Sequence, residues 1–331
     1  MTTALDSLGG AALGQQLVAV TQGVAVAWGW QPELLRVTGR EPLAALDRIV
    51  TQAVKDLTPG EGKLALVLHA KGQFRGLFAV LAGESEVLLL APPGRGGEVA
   101  AQLERYLALS RCRVAAVPVV GMVTVLGPGW QAVAGACGAE VERLHRGGWS
   151  ATGGEENRLT WCGWTFLGVP GVAVAAAGQG GLEALRRRLE ESGAVAVGAE
   201  AVEVVRITAA WPAWGAELTA ATLPPEIAIL DDLAISYRKG CYTGQETIAR
   251  MKTYGHPNWC LERLRQVGGP EEAPDLPAEL YLSAGDKPKG RLTSWAYHPE
   301  HGGLALALLH RTVAPGVALH DRRGRVFVSA G

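Results

Sequence analysis

The stretch Ile235-Ser-Tyr-Arg-Lys-Gly-Cys-Tyr-Thr-Gly-Gln-Glu-Thr-Ile-Ala-Arg250 decides how this chain is read. Thr243 followed three positions later by Glu246 has the spacing of a capping box, which predicts a helix from Thr243 to Tyr254 stopped by Gly255. Cys241 then lies two residues before the helix start, beside Arg238 and Lys239. Backbone N–H groups, the positive helix end and the two cations all favour a thiolate there. Between Ser236 and Tyr254 four basic residues (Arg238, Lys239, Arg250, Lys252) stand against one acid, Glu246. Such a local excess suits an anionic ligand or an acidic partner. A plainer reading stays open: Thr243 and Glu246 only cap a helix, Gly240 and Gly244 only permit a turn, and Cys241 is a small buried hydrophobe.

Upstream, the chain alternates strand and helix patterns. Leu34–Val37, Leu64–His69, Leu77–Leu81 and Val87–Leu90 read as strands, with a hairpin around Lys71-Gly72. Apolar spacing predicts helices over Leu43–Val54 and Glu98–Leu109. Val114–Val117, Val119–Leu126, Leu159–Phe166 and Val172–Ala176 continue the strands, and Trp130–Gly138, Leu182–Glu191 and Glu200–Ile207 the helices. Downstream, a Pro-rich acidic stretch, Gly268–Pro277, introduces short strands at 280–282, 290–297, 304–309, 317–319 and 326–328, the pattern of a small antiparallel barrel. The expectation is an α+β body over residues 1–255 and an all-β module over 256–331.

The chain has 331 residues, more than one hydrophobic core usually covers, and 48% of them are apolar, which excludes a disordered chain. A net charge of −1 argues against nucleic acid held by global charge. The cysteines (Cys112, Cys137, Cys162, Cys241, Cys260) form no CxxC pair, and the seven histidines show no ligand spacing, so neither a disulfide scaffold nor a metal site is expected. No basic residue precedes Arg36, and the apolar run Val114–Leu126 is too short to span a bilayer. These features point to a soluble, cytoplasmic protein of a reducing compartment, with no membrane partner.

Lys239-Gly-Cys-Tyr-Thr-Gly-Gln-Glu246 is similar to the signature octapeptide of the YgfZ proteins, relatives of the glycine-cleavage T-protein, an aminomethyltransferase. Arg206–Leu218, Pro224-Pro-Glu226, Gly290–Ser294 and Leu304–Leu308 resemble further segments of that family. The resemblance implies a three-part ring, two α+β lobes and a C-terminal antiparallel β-barrel around tetrahydrofolate. It also implies a role in synthesis or repair of iron–sulfur clusters in client enzymes, with Cys241 as the working residue. A folate needs an aromatic surface, an acceptor for the pterin edge and a cation for its tail. Trp211 and Trp214 are candidate stacking surfaces, Trp211 favouring the core, with Trp28 and Trp30 further ones; Glu217 is the acceptor, Arg206 or Arg250 the cation, and Tyr242 of the octapeptide a further folate contact. Two departures stand out. Gln52-Ala53 occupies the place of an Asn-Asp pair whose aspartate acts at the folate nitrogen, and alanine can neither accept nor orient a proton. Thr208-Ala209-Ala210 stands where relatives read Glu-Ala-Gly. An aminomethyltransferase of a glycine-cleavage type system and a non-catalytic adaptor remain the alternatives to the folate-binding accessory protein.

Overall fold

Phe74–Ala82 and Val87–Ala91 are apolar at nearly every position, and both are buried along almost their whole length. A strand of that kind must be covered on both faces. They form the middle of a five-stranded sheet in the order Gly62–Leu68, Phe74–Ala82, Val87–Ala91, Glu33–Gly39, Cys112–Ala116. The computed structural model from which this architecture is read describes residues 11–268, 272–283 and 285–329. On one face of the sheet Phe78, Val80 and Leu89 pack against Leu46, Ile49, Val99, Leu103 and Leu107, supplied by two helices, Pro42–Asp47 and Gly96–Leu107, and the turn after the first.

The chain divides into two compact units. The first comprises residues 1–68, 75–202 and 233–243 and holds that sheet together with a second, six-stranded one. The second sheet runs Val195–Ala196, Ala25–Ala27, Gly121–Leu126, Gly171–Ala176, Leu159–Cys162, Trp149–Thr152. Val26, Val125, Trp161, Val172 and Val174 face Trp130, Val133, Leu185 and Leu189 in its core. Trp149 ties the two sheets together: its backbone N–H donates to the Gly60 carbonyl at 2.9 Å and its indole N–H to the Ala82 carbonyl at 2.6 Å.

The second unit comprises residues 69–74, 203–232 and 244–331. Its six-stranded antiparallel sheet runs Ala278–Leu280, Gly290–His298, Gly302–His310, Trp259–Val267, Val326–Ser329, Leu319–His320. Tyr281 and His320 exchange reciprocal backbone hydrogen bonds of 2.9 and 2.8 Å, so the first and last strands meet at one bridge and the sheet nearly closes into a barrel. Leu264, Leu280, Leu292, Leu309, Leu319 and Phe327 fill its interior.

Four local expectations change. The helix expected over Leu43–Val54 ends at Asp47, because the carbonyls beyond it turn toward a buried lysine described below. The strand expected over Leu159–Phe166 ends at Cys162: a Cβ on Gly163 would lie 2.0 Å from the Leu144 carbonyl oxygen, and Phe166 adopts φ +57°. The helix expected from Thr243 begins at Gln245. The barrel gains a strand the sequence reading passed over, Trp259–Val267, whose charged residues Glu262, Arg263 and Arg265 mask a single fully inward side chain, Leu264. Of the Pro-rich stretch, residues 269–271 lie outside the described residues.

Candidate functional site

In the first unit two segments distant in sequence are laced together, residues 47–54 and 233–243. The Gln52 side-chain amide donates to the Leu233 carbonyl at 3.0 Å, the Thr51 hydroxyl to the Ala234 carbonyl at 2.6 Å, and the Ser236 N–H to the Thr51 carbonyl at 3.0 Å. Lys239 completes the lacing. Its side chain is 4% exposed, and Nζ donates to the carbonyls of Val50 and Gln52, each at 2.9 Å, and to that of Asp47. The Asp47 carboxylate lies 3.3 Å from the same ammonium and accepts the Val54 N–H at 2.8 Å. Burial pushes the Lys239 ammonium below its ordinary pKa, against the pull of Asp47. Burial also opposes ionisation of Asp47, but the Val54 N–H and the Lys239 charge outweigh it and hold that carboxyl below its ordinary value.

Gly240 and Cys241 are exposed just beyond Lys239, and Tyr242 is buried again. Burial raises the other four thiols, that of Cys162 to about 12. The expected capping box is absent. Gly244 is the N-cap of Gln245–Tyr254, with φ +83° and no side-chain cap. A Cβ there would meet the His69 carbonyl oxygen at 2.5 Å, so the turn needs glycine both for its backbone angle and for its closeness. Glu246 instead reaches forward to Arg250 at 3.3 Å on the surface. The expected local surplus of positive charge is largely met by acids: Lys239 by Asp47, Arg250 by Glu246, and Lys252 by Asp231 at 2.7 Å.

The second unit holds a different buried cation. Arg206, 1% exposed, donates from Nε to Glu203 at 2.9 Å and from Nη1 to the Trp211 carbonyl at 2.7 Å and Glu217 at 3.1 Å. Its Nη2 donates to the Ser294 hydroxyl at 2.7 Å and to Glu203. Ser294 donates in turn to the second oxygen of Glu217 at 2.7 Å, and the Ala213 N–H donates to the first at 2.8 Å. Burial alone would lower the Arg206 pKa, but Glu203 and Glu217 together raise it. Arg206 and Glu217, expected to meet a folate, therefore spend their hydrogen-bonding atoms on each other, on Glu203 and Ser294, and on the segment 211–218. Trp214 of that segment is half-buried, and Trp211 is core.

Comparison with known proteins fits this architecture. The GCVT N-terminal domain family matches residues 11–231. This chain belongs to the GCVT family. A solved structure, the glycine cleavage system aminomethyltransferase T of Bartonella henselae, superposes with a TM-score of 0.83 over 97% of this chain and 88% of that one, at 18% identity. The two share a mixed α+β fold. A chloroplastic Arabidopsis thaliana protein, provisionally named a transferase, is 36% identical over 133 residues, 40% of this chain. The match spans 27% of that relative's length.

Position 53 sits in the laced loop: its N–H donates to the Gln52 side-chain oxygen at 2.9 Å, and its carbonyl accepts from Lys63 at 2.9 Å. Ala210 follows the helix Ala199–Thr208 with φ +52°, the left-handed conformation that a glycine adopts without strain. Asp47, Thr51 and Ser294 went unnoticed in the sequence. Asp47 lay inside an apparent helix, and Ser294 reaches Arg206 after a bulge in strand Gly290–His298 that no spacing announces. Glu203 was legible from its i,i+3 spacing to Arg206. Among the described residues no group of three His, Cys, Asp or Glu is placed to hold a metal ion, and no helix is long and apolar enough to cross a membrane.

Proposed function

We propose that this GCVT protein is a tetrahydrofolate-binding accessory protein of the YgfZ type, cytoplasmic, which supports synthesis or repair of iron–sulfur clusters in client enzymes through Cys241. The observation that carries the reading is the lacing of loop 47–54 to the octapeptide. The backbone that would present an acid at position 53 is kept in full, the acid itself is replaced by alanine, and the segment laced to it offers an exposed thiol. A transferase needs that acid to handle a proton at the folate nitrogen. An accessory protein does not. In this reading residues 1–255 form the folate-binding body and 256–331 a barrel domain.

The candidate ligand residues divide by what they have left to offer. Trp214, half-buried, is the candidate aromatic surface for a flat ligand, and Arg250 keeps a surface guanidinium for an anionic tail, its pair with the equally exposed Glu246 being worth little. Arg206 and Glu217 act from behind, holding the segment that carries Trp214. Tyr242 offers the edge of a buried ring. Folate supplies a pterin to stack and a carboxylate tail to pair when bound. Calorimetric titration of tetrahydrofolate into the purified protein tests the reading, with saturable binding expected. Lipoyl-dependent aminomethyl transfer to tetrahydrofolate at T-protein rates would overturn it in favour of the enzyme.

A further inference from the structure

The first four residues of the octapeptide are buried at the two ends and exposed in the middle: Lys239 in, Gly240 and Cys241 out, Tyr242 in. The Lys239 ammonium lies 5.6 Å from the centre of the Tyr242 ring, so the two inward side chains meet beneath the outward pair. We infer that Lys239 is a positioning residue that fixes Cys241 outward by clamping the octapeptide to loop 47–54. The inference rests on the proposed reading of Cys241 as the working thiol and adds what holds that thiol in place.

The chemistry of the clamp is specific. An ammonium has three N–H donors in tetrahedral array. Three backbone carbonyls of one loop, those of Asp47, Val50 and Gln52, accept them. These carbonyls belong to the stretch where the helix Pro42–Asp47 has stopped, so no helical N–H serves the last two. A planar guanidinium cannot converge on three carbonyls clustered in this way, and an apolar chain of equal length leaves them unpartnered. The lysine thus reads backbone geometry rather than opposite charge alone. It transmits the position of loop 47–54, which carries position 53, to the peptide that presents Cys241.

The test compares thiols within one molecule. Iodoacetamide labelling of Cys241 is followed by mass spectrometry against Cys260 as internal reference, together with amide hydrogen exchange over residues 48–54. In Lys239→Met and Lys239→Arg the ratio of the Cys241 rate to the Cys260 rate is expected to change by about 5-fold or more, and loop exchange to accelerate by about 10-fold or more. Asp47→Asn keeps all three carbonyl bonds and is expected to change the ratio by less than about 2-fold. A purely stabilising role would leave the ratio unchanged in the folded variants, and that outcome overturns the inference. Wild-type behaviour of Lys239→Arg overturns it equally. Should both lysine variants fail to fold, the wild-type protein still decides: amides of Thr51 and Val54 exchanging as fast as exposed ones would show that no clamp exists. Titration of tetrahydrofolate into the same proteins keeps the two readings apart, because failure of folate to bind the wild type removes the folate reading while a shifted labelling ratio sustains the clamp.

Discussion

Lys239 in the first unit and Arg206 in the second are both buried cations, and the two are buried for different ends. Lys239 faces three backbone carbonyls and a single carboxylate; Arg206 faces two carboxylates, a hydroxyl and one carbonyl. A compact ammonium suits converging carbonyls of an irregular loop, whereas a planar fork suits carboxylates that it can grip at fixed angles. Lysine here stitches two stretches of backbone, and arginine joins a helix, a loop and a barrel strand through their side chains. The lesson is that in this fold basic residues near a presumed anionic ligand can be structural, and that burial with a counted partner set distinguishes them from surface cations such as Arg250.

The comparison can be broken at several points. The largest expected effect is in thiol reactivity. A thiol with a pKa of about 12 is almost wholly protonated at neutral pH, and Cys162 is also fully buried, so Cys241 should be alkylated at least ~1,000-fold faster. Mass-spectrometric labelling of the native protein measures this, and labelling of Cys162 at a similar rate would remove the contrast. Next comes Glu217→Gln, which leaves Arg206 short of a charged partner inside the second unit and is expected to cost about 3–5 kcal/mol in urea unfolding. A loss as small as that of an exposed pair would mean that Glu203 alone compensates Arg206.

A smaller effect concerns acid. The folded Asp47 carboxyl lies below its ordinary value of 3.8, so its contribution to stability is present above that value and is lost as pH falls through the folded one. Lys239 stays protonated throughout this window. Asp47→Asn should therefore flatten the acid limb of a stability–pH curve and leave the curve parallel to wild type near neutrality. An unchanged acid limb would assign the clamp to the carbonyls alone. The smallest effect is a gain: Ala210→Gly removes a left-handed alanine and should stabilise the protein by about 0.5–1 kcal/mol in thermal unfolding. A destabilised variant would mean that the Ala210 side chain packs usefully.

Much of the architecture was legible because it follows from periodicity. The apolar strands 74–82 and 87–91 and the barrel strands 290–298 and 302–310 announce themselves by composition alone. What stayed hidden was set by contacts between residues far apart in the chain. Apolar spacing across 43–54 satisfies a helix, yet the carbonyls of Val50 and Gln52 find a better donor in Lys239, almost two hundred residues away. Thr243 and Glu246 have capping-box spacing, yet the close approach of Gly244 to the His69 carbonyl sets the turn instead. Trp259–Val267 reads as charged because a strand paired on both sides places only Leu264 fully inside. Cys241 stands out by its sequence surroundings, but its surroundings in space differ: Lys239, two positions before it, is buried against loop 47–54.

The pair of hydrogen bonds between Tyr281 and His320 brings the two end strands of the terminal sheet together at one bridge. In an open sheet the outermost strand has one neighbour and frays first; here each short end strand has one ladder, and the bridge adds a second tether to it. The bridge and the shortness of the two end strands leave little edge on which another chain could add a strand. Opening should therefore start at that bridge, with the amides of Ala278–Leu280 and Leu319–His320 leaving protection before those of Trp259–Val267 and Gly302–His310, which are paired along long ladders.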